Sequence, residues 1–218
     1  MRLSFLFSAL FVSASLSFQA ASLAGDTEGG IALPKPQTEG GIPLMQALKA
    51  RHSARTFSPD TLPLQTVSNL LWAASGITRE DGKRTAPSAC NWQEIDIYLA
   101  MPQGLYLYDA KEHKLIKTLP DDIRATTGKQ PFVKNAPLCL IYVADFKKMG
   151  DAPENDKAFY SATDTGFVSQ NVYLFCASAG LNTVVLGFVD KPALAAAMKL
   201  RPEQKIILSQ PVGAPAKD

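Results

Sequence analysis

The chain has 218 residues, with 22 Lys plus Arg against 20 Asp plus Glu, and a formal net charge of +2. That length suits a single domain with a substantial buried core. Because the charges nearly balance and no block of like charge occurs, composition gives no support for a nucleic-acid-binding protein or a membrane-surface protein.

The N-terminus differs from the rest of the chain. One arginine precedes an uncharged apolar stretch over residues 3–18, and small residues surround Ala24. This pattern predicts a secretory signal peptide over residues 1–24 and a periplasmic or secreted protein, with an uncleaved anchor as the alternative. Residues 25–41 are rich in Gly and Pro and predict a polar linker or extended arm, followed by the folded domain at residues 42–218.

Hydrophobic periodicity predicts helices alternating with strands through the remainder. Helices are expected over residues 43–51, 61–75, 156–179 and 190–200, and strands over 95–101, 104–109, 114–119, 138–143, 184–189 and 205–210. This order predicts an α+β fold in which helices flank a mixed β-sheet. The 156–179 helix is apolar nearly all round in its second half, which indicates burial in a core or against a second subunit.

Metal and cysteine chemistry find little support in the sequence. There are two histidines and three cysteines, and no CxxC spacing occurs. No metal site is therefore expected. Cys139 and Cys176 lie in apolar surroundings and are expected to be buried core residues.

A basic cluster follows the first predicted helix. Arg51-His52-Ser53-Ala54-Arg55 places two guanidinium groups and a hydroxyl on about one turn of backbone. Such groups are donors for a phosphate. Taken alone, the cluster is more simply interpreted as a solvated helix C-terminus, where arginine is favourable in any case.

A second cluster is a loop of small residues with two carboxamides, Pro87-Ser88-Ala89-Cys90-Asn91-Trp92-Gln93. Asn91 and Gln93 offer donors and acceptors for a flat heteroaromatic ring. Taken alone, the segment is more simply interpreted as a loop in which these two residues cap turns. Farther along, Gly187 interrupts an apolar strand pattern, which is typical of a bulge or of close backbone approach to a ligand.

Taken together, these three features resemble the FMN-dependent nitroreductase family in order and spacing, over residues 43–213. Further segments resemble the branch of that family that contains the dehydrogenases of thiazole- and oxazole-forming peptide maturation. These segments are residues 70–76, 84–88, 104–109 and 164–174.

The resemblance implies a nitroreductase-like fold and an obligate homodimer, with the long helix at the dimer interface and two FMN sites there. It implies cofactor-binding residues at Arg51, His52, Ser53 and Arg55 in one subunit, and at Pro87, Ser88, Ala89, Asn91 and Gln93 in the other. Leu186 and Gly187 would place a backbone N–H near flavin N5, and Lys217 would meet the phosphate.

The predicted function is therefore that of an exported FMN-dependent oxidoreductase. It would transfer hydride by a ping-pong scheme through flavin N5, to or from a small organic substrate such as a nitroaromatic or a quinone, with an unidentified electron donor. The flavin carries the chemistry, so no catalytic side chain is expected. The alternatives are an FMN-dependent dehydrogenase of a small molecule or a peptide azoline, and a flavin-binding module without turnover.

Overall fold

The computed structural model describes residues 30–216. The predicted signal peptide, the first residues of the predicted linker and Lys217 lie outside the described residues. Helices are α1 (Leu44–Ala50), α2 (Leu64–Ser75), α3 (Glu154–Ala179) and α4 (Lys191–Ala197). Strands are β1 (Gly30–Ala32), β2 (Ile95–Met101), β3 (Gly104–Asp109), β4 (Lys114–Leu119), β5 (Leu138–Asp145), β6 (Asn182–Thr183) and β7 (Gln204–Gly213).

The strands form one seven-stranded sheet in the order β1-β4-β3-β2-β5-β7-β6. The α+β class, with helices flanking a sheet, is confirmed. The sheet is more uniform than the mixed one expected, because every pairing among the described strands is antiparallel. Tight connections explain part of this, since β2, β3 and β4 are joined by short turns, and a short turn reverses the chain direction.

Strand β5 lies near the middle of the sheet and is buried along its whole length. Alternate side chains therefore reach two separate cores. Leu140 and Tyr142 join the core that contains α2 and α3 residues. Ile141 and Val143 join the core that contains Leu194 of α4. The strand buried on both faces, predicted from a continuous apolar run, is thus confirmed.

Helix α3 is the longest element and lies against both α1 and α2. Its buried residues repeat at helical spacing, as at Val168, Val172 and Cys176, so one face enters the core. Gly180 ends it in the left-handed conformation at φ 67°, which a residue without Cβ adopts at little cost. The opposite face carries Phe159 and Phe167, whose side chains are 64% and 45% exposed.

The predicted strand over residues 184–189 is wrong in most of its length. Regular pairing ends at Thr183, and beyond it Leu186 makes a single bridge to Ser209 through two backbone hydrogen bonds of 2.8 and 3.1 Å. Gly187 and Phe188 are exposed. Helix α4 follows directly, and Asp190 caps its start: the Asp190 side chain accepts from the Ala193 N–H at 3.2 Å.

The N-terminal arm lies along the domain. Strand β1 extends the sheet beside β4, and the Pro34 carbonyl then accepts a 2.6 Å hydrogen bond from Ser68 of α2. Because Ser68 donates to Pro34, it accepts from His113 Nε2 at 2.8 Å, and His113 Nδ1 accepts from the Tyr108 hydroxyl at 3.0 Å. A neutral His113 therefore holds the arm in place.

Candidate functional site

The basic cluster lies in an extended segment, residues 51–56, directly after α1. Backbone contacts fix this segment to the short edge strand β6. The Ala54 N–H donates to the Thr183 carbonyl at 3.0 Å, and Asn182 Nδ2 donates to the Thr56 carbonyl at 2.7 Å. Because the backbone is anchored, the Arg55 side chain is exposed on a fixed base.

Tyr173 of α3 connects this segment to the chain around Leu186. Its hydroxyl accepts the Val185 N–H at 2.9 Å, and it lies 2.8 Å from Ser53 Oγ. The Arg51 guanidinium carbon lies 5.2 Å from the centre of the Tyr173 ring, within cation–π range. The basic cluster and residues 185–187, which are remote in sequence, are therefore neighbours.

Gly187 occupies open space at this place. A Cβ added to it would meet one atom within 4 Å, Leu208 Cδ2 at 3.7 Å, which is an ordinary contact. Packing within the described chain therefore does not require glycine here. An exposed backbone with no side chain suits close approach by a ligand.

The loop over residues 87–93 has a strained backbone. Cys90, Asn91 and Gln93 have φ values of 49°, 54° and 50°, in the left-handed region that costs non-glycine residues energy. Two hydrogen bonds brace it: the Gln93 N–H donates to Ser88 Oγ at 3.0 Å, and the Ala89 N–H donates to Asp164 Oδ2 at 2.8 Å. The loop shape is therefore fixed by the chain before any ligand binds.

The Gln93 carboxamide is engaged inside the chain. Its Oε1 accepts from Arg84 Nε at 2.8 Å, and its Nε2 donates to the Gly82 carbonyl at 3.2 Å and to Asn91 Oδ1 at 3.1 Å. Arg84 also donates to Ser75 Oγ at 3.1 Å, and burial lowers its pKa. Gln93 thus orients Asn91, whose side chain is the more exposed of the two.

Two carboxyl groups lie beneath this loop. Glu94 is 0% exposed and Asp164 is 2% exposed. Burial is the main cause that raises the pKa of Glu94, to about 7, with the adjacent Asp164 charge adding to the shift. Burial also raises the pKa of Asp164. Asp164 lines a small cavity under the loop together with Ser88 and Gln93.

Aromatic side chains surround the outer side of the loop. Trp92 packs edge-on against Tyr160 of α3, with ring centres 5.8 Å apart, and Tyr160 packs likewise against Phe159 at 5.2 Å. Tyr160 is 37% exposed. These rings form a partly exposed apolar surface beside the loop.

Helix α3 separates the two clusters within one chain. The loop is attached at Asp164, and the basic segment is attached at Tyr173, nine residues later in the same helix. At 1.5 Å and about 100° per residue, the two attachments are ~13 Å apart along the axis and about half a turn round it. A single copy therefore brings Arg51, Ser53 and Gly187 together but does not add the loop to them.

The model of the nitroreductase family matches residues 48–214, most of the chain. A provisionally named nitroreductase of Methanocaldococcus jannaschii is 31% identical over 183 residues, covering 79% of this chain and 91% of that protein. The chain belongs to the nitroreductase family. Family members are FMN-dependent oxidoreductases.

Solved structures agree with the family assignment. A provisionally named nitroreductase of Ralstonia eutropha is 43% identical, with a TM-score of 0.85, and the match covers 89% of this chain and 93% of that one. A Desulfovibrio desulfuricans structure in complex with FMN has a TM-score of 0.59 over 82% of this chain and 89% of that one. It is 22% identical and so indicates the shared nitroreductase fold alone.

The residues present fit the nitroreductase cofactor. Arg51 with Ser53 suits a phosphate, and the exposed Arg55 side chain and the open backbone at Gly187 suit contact with a ring edge. The braced loop exposes Pro87 and Asn91, and Ala89 is partly exposed. The predicted residue His52 is exposed and its Nδ1 lies 2.9 Å from the Ala50 carbonyl. Leu186 is buried and its backbone is bonded to Ser209, so the backbone group left to approach a ligand here is the Gly187 N–H.

Sequence reasoning did not single out four residues that shape this nitroreductase site: Arg84, Glu94, Asp164 and Tyr173. Arg84, Asp164 and Tyr173 lie in the segments that resemble the peptide-maturation branch, and Asp164 carries a further signal of its own. Asp164 lies four residues before Val168 and eight before Val172, on the buried face of α3. An acidic residue on a buried helical face is unusual enough to indicate a special role. Within residues 30–216, no group of three or more metal-ligating side chains is found.

Proposed function

We propose that the protein is an exported, homodimeric FMN-dependent oxidoreductase that acts on a small organic substrate. The observation that carries this proposal is the neighbourhood of Arg51, Ser53 and the open backbone at Gly187 around Tyr173. It combines phosphate donors with an approachable ring-edge donor, as family members need for FMN.

A homodimer is supported by the separation of the two clusters across α3. One flat cofactor with a phosphate tail needs both clusters, and one copy presents them on opposite sides of a helix. The chain also exposes large apolar side chains on α1 and on the outer face of α3, which favours a partner surface. They are Leu44, Met45, Leu48, Phe159 and Phe167.

Each residue of the proposed FMN site has a defined binding role. Arg51 and Ser53 hold the phosphate, and Arg55 approaches the pyrimidine edge of the ring. At Leu186–Gly187 the donor near N5 is the Gly187 N–H, since the Leu186 N–H donates to Ser209. The loop of the second copy contacts the ring through Pro87, Ser88, Ala89 and Asn91, with Gln93 orienting Asn91. When bound, FMN supplies ping-pong hydride transfer, so the side chains bind and orient rather than react.

The substrate class is a nitroaromatic, a quinone or a similar flat acceptor, since the exposed aromatic surface at Trp92 and Tyr160 would stack on a planar molecule. The alternative is dehydrogenation of a small molecule or a peptide azoline. It is favoured by the similarity of residues 84–88 and 164–174 to the peptide-maturation branch. Residues in both segments, Arg84 and Asp164, brace the same loop.

Export is proposed from residues 1–24 alone, which fit a cleaved signal peptide. Among the described residues, no helix is long and apolar enough to cross a membrane. Export also constrains the electron donor, because nicotinamide nucleotides are used in the cytoplasm. A quinol or a partner flavoprotein is a suitable donor outside it.

The visible spectrum of the purified protein tests the cofactor and the enzyme class together. A yellow protein that bleaches with a donor and regains colour with a nitroaromatic or quinone supports the proposal. Bleaching by dithionite alone, with no donor and acceptor pair giving turnover, would favour a flavin-binding module. Gly187→Val should lose FMN because its side chain fills the approach. The control Asp121→Asn, at an exposed residue that follows β4, should keep it.

Assembly and export need separate measurements. Light scattering at micromolar concentration should give a dimer, and a flavin-loaded monomer would contradict the composite site. Gly166 lies on the exposed face of α3, and a Cβ there meets nothing within 4 Å. Gly166→Ala should therefore stabilise a lone helix by about 0.5–1 kcal/mol yet weaken a closely packed dimer.

Export is tested by the intact mass of periplasmic protein, which should show loss of about 24 residues.

A further inference from the structure

The strongest unexplained feature is the pair of buried acids beneath the loop over residues 87–93. Glu94 is 0% exposed, and neither of its side-chain oxygens accepts a hydrogen bond from another residue in the 30–216 range. A carboxylate buried without donors is strongly unfavourable. Its polar neighbour is Asp164, which is itself an acceptor unless one of the two carries a proton.

Among the described residues, no cation forms an ion pair with either acid. Lys148, after β5, is the cation whose charge acts on Glu94, where it lowers the pKa of the carboxyl, and Arg84 lines the same small cavity as Asp164. Lys148 Nζ is engaged with Asp96 at 2.6 Å and with the Gln93 carbonyl at 3.3 Å. Arg84 is engaged with Gln93 and Ser75. Within the described chain, a proton is therefore the remaining way to satisfy Glu94.

We infer that Glu94 and Asp164 share one proton, and that this shared proton positions the flavin-binding loop through the Ala89 N–H. The inference rests on the proposed function, which gives the loop its ligand. Glu94 acts as a positioning residue: protonated, it donates to one oxygen of Asp164, and the other Asp164 oxygen accepts the Ala89 N–H at 2.8 Å.

Loss of the proton disturbs this arrangement. Two adjacent carboxylates repel each other in a buried site. When they separate, α3, which carries Asp164, moves away from Glu94, the residue that follows the loop. The loop has three residues at strained positive φ, so it relaxes when its Asp164 contact is weakened. Affinity for FMN should therefore fall as the pair ionises, even though neither acid touches the ligand.

Glu94→Gln is the decisive variant, because the Gln amide has the size of Glu and donates to Asp164 at every pH. The control is Glu154→Gln, at a side chain that is 78% exposed near the start of α3. FMN dissociation constants are measured at about pH 6 and about pH 8.5, on either side of the Glu94 pKa of about 7. The FMN phosphate also titrates near pH 6, but equally for all three proteins.

The wild type and Glu154→Gln should bind FMN about tenfold more weakly at the higher pH, the size expected for loss of one hydrogen bond. Glu94→Gln should lack this extra pH dependence.

Two measurements on the protein without FMN accompany the titration. The wild type at about pH 6 should show the infrared carbonyl band of a protonated carboxylic acid, and Glu94→Gln should lack it. Hydrogen exchange at the Ala89 amide should quicken with pH beyond its intrinsic rate only in proteins that retain Glu94.

Equal pH dependence in the wild type and Glu94→Gln would overturn the inference, as would absence of the acid band at about pH 6. A protein that binds no FMN at either pH overturns the proposed function instead. The infrared and exchange measurements need no FMN, so they still decide whether the pair holds a proton.

Discussion

The loop over residues 87–93 and the segment over residues 51–56 are both proposed to contact one cofactor, yet they are built in opposite ways. The loop has a strained backbone held by Asp164, Ser88 and the Arg84–Gln93 contact. The segment is extended and held through its backbone, and the side chain of Arg55 is exposed.

This difference separates stability from binding. A residue that braces the loop is buried and partnered, so its removal should cost both folding free energy and affinity. A residue of the segment has few contacts to lose in the folded chain, so its removal should cost affinity or redox potential alone. Variants in the two regions can therefore break or sharpen the comparison.

The largest effect is expected for Asp164→Ala in the loop region. The variant leaves the Ala89 N–H without its acceptor and Glu94 without its partner. Two unsatisfied buried groups cost about 2–4 kcal/mol of unfolding free energy. Urea unfolding should show this loss, and FMN titration should show at least about tenfold weaker binding. Unchanged stability would mean that the loop does not depend on Asp164.

Arg51→Ala should show the reverse pattern in the segment. A charged hydrogen bond to phosphate is worth about 1.5–3 kcal/mol, so FMN affinity should fall by about 10- to 100-fold. Unfolding free energy of the protein without FMN should fall by no more than about 1 kcal/mol, the worth of the cation–π contact with Tyr173. A phosphate contact is equally strong in both redox states, so the midpoint potential should remain nearly constant. A large stability loss would place Arg51 with the structural residues.

Arg55→Ala should act on the potential. If its guanidinium lies at the pyrimidine edge, it stabilises the anionic reduced ring more than the neutral oxidised ring. Loss of about 1.5–3 kcal/mol of that preference lowers the two-electron midpoint potential by roughly 30–65 mV. Redox titration beside Arg51→Ala checks this assignment. A change in affinity of the oxidised form with no change in potential would move Arg55 to the phosphate group.

The smallest effect is expected at His113, outside both regions. Burial lowers the pKa of His113, so the folded chain favours the neutral ring that accepts from Tyr108 and donates to Ser68. This stabilisation is complete above the ordinary pKa of 6.5 and is lost as pH falls through the lowered value. The ring is partly exposed, so the loss should be only about 0.5 kcal/mol. His113→Gln should remove it, as urea unfolding at about pH 7.5 and about pH 5.5 can measure.

The sequence predicted the frame of this fold well and its irregular parts poorly. The β3–β4 hairpin and α3 were predictable because alternation and helical spacing are local patterns. The segment over 184–189 was misread as a strand because an apolar run does not reveal that pairing stops after Thr183. The antiparallel pairing of β5 with β2 and β7 depends on contacts between distant parts of the chain, which periodicity does not encode.

Predictability of the site followed the same division. The family and its FMN-dependent chemistry were predicted from two short clusters together with Gly187, and both are confirmed. The ligand contacts of individual residues, including Lys217 outside the described chain, stay predictions. Glu94 gave no signal, because an acid at the start of a strand usually faces solvent. Only the packing of α3 against the end of the loop makes it a buried partner of Asp164.

Asp164 and Tyr173 lie nine residues apart in α3 and on opposite sides of the helix. In the proposed dimer, each copy of this helix therefore belongs to two cofactor sites, bracing the loop of one and anchoring the basic segment of the other. Binding of FMN at the first site restrains both α3 helices. FMN that binds at the second site therefore costs less conformational entropy. The two sites should then fill cooperatively, and calorimetric titration should fit two unequal steps rather than one.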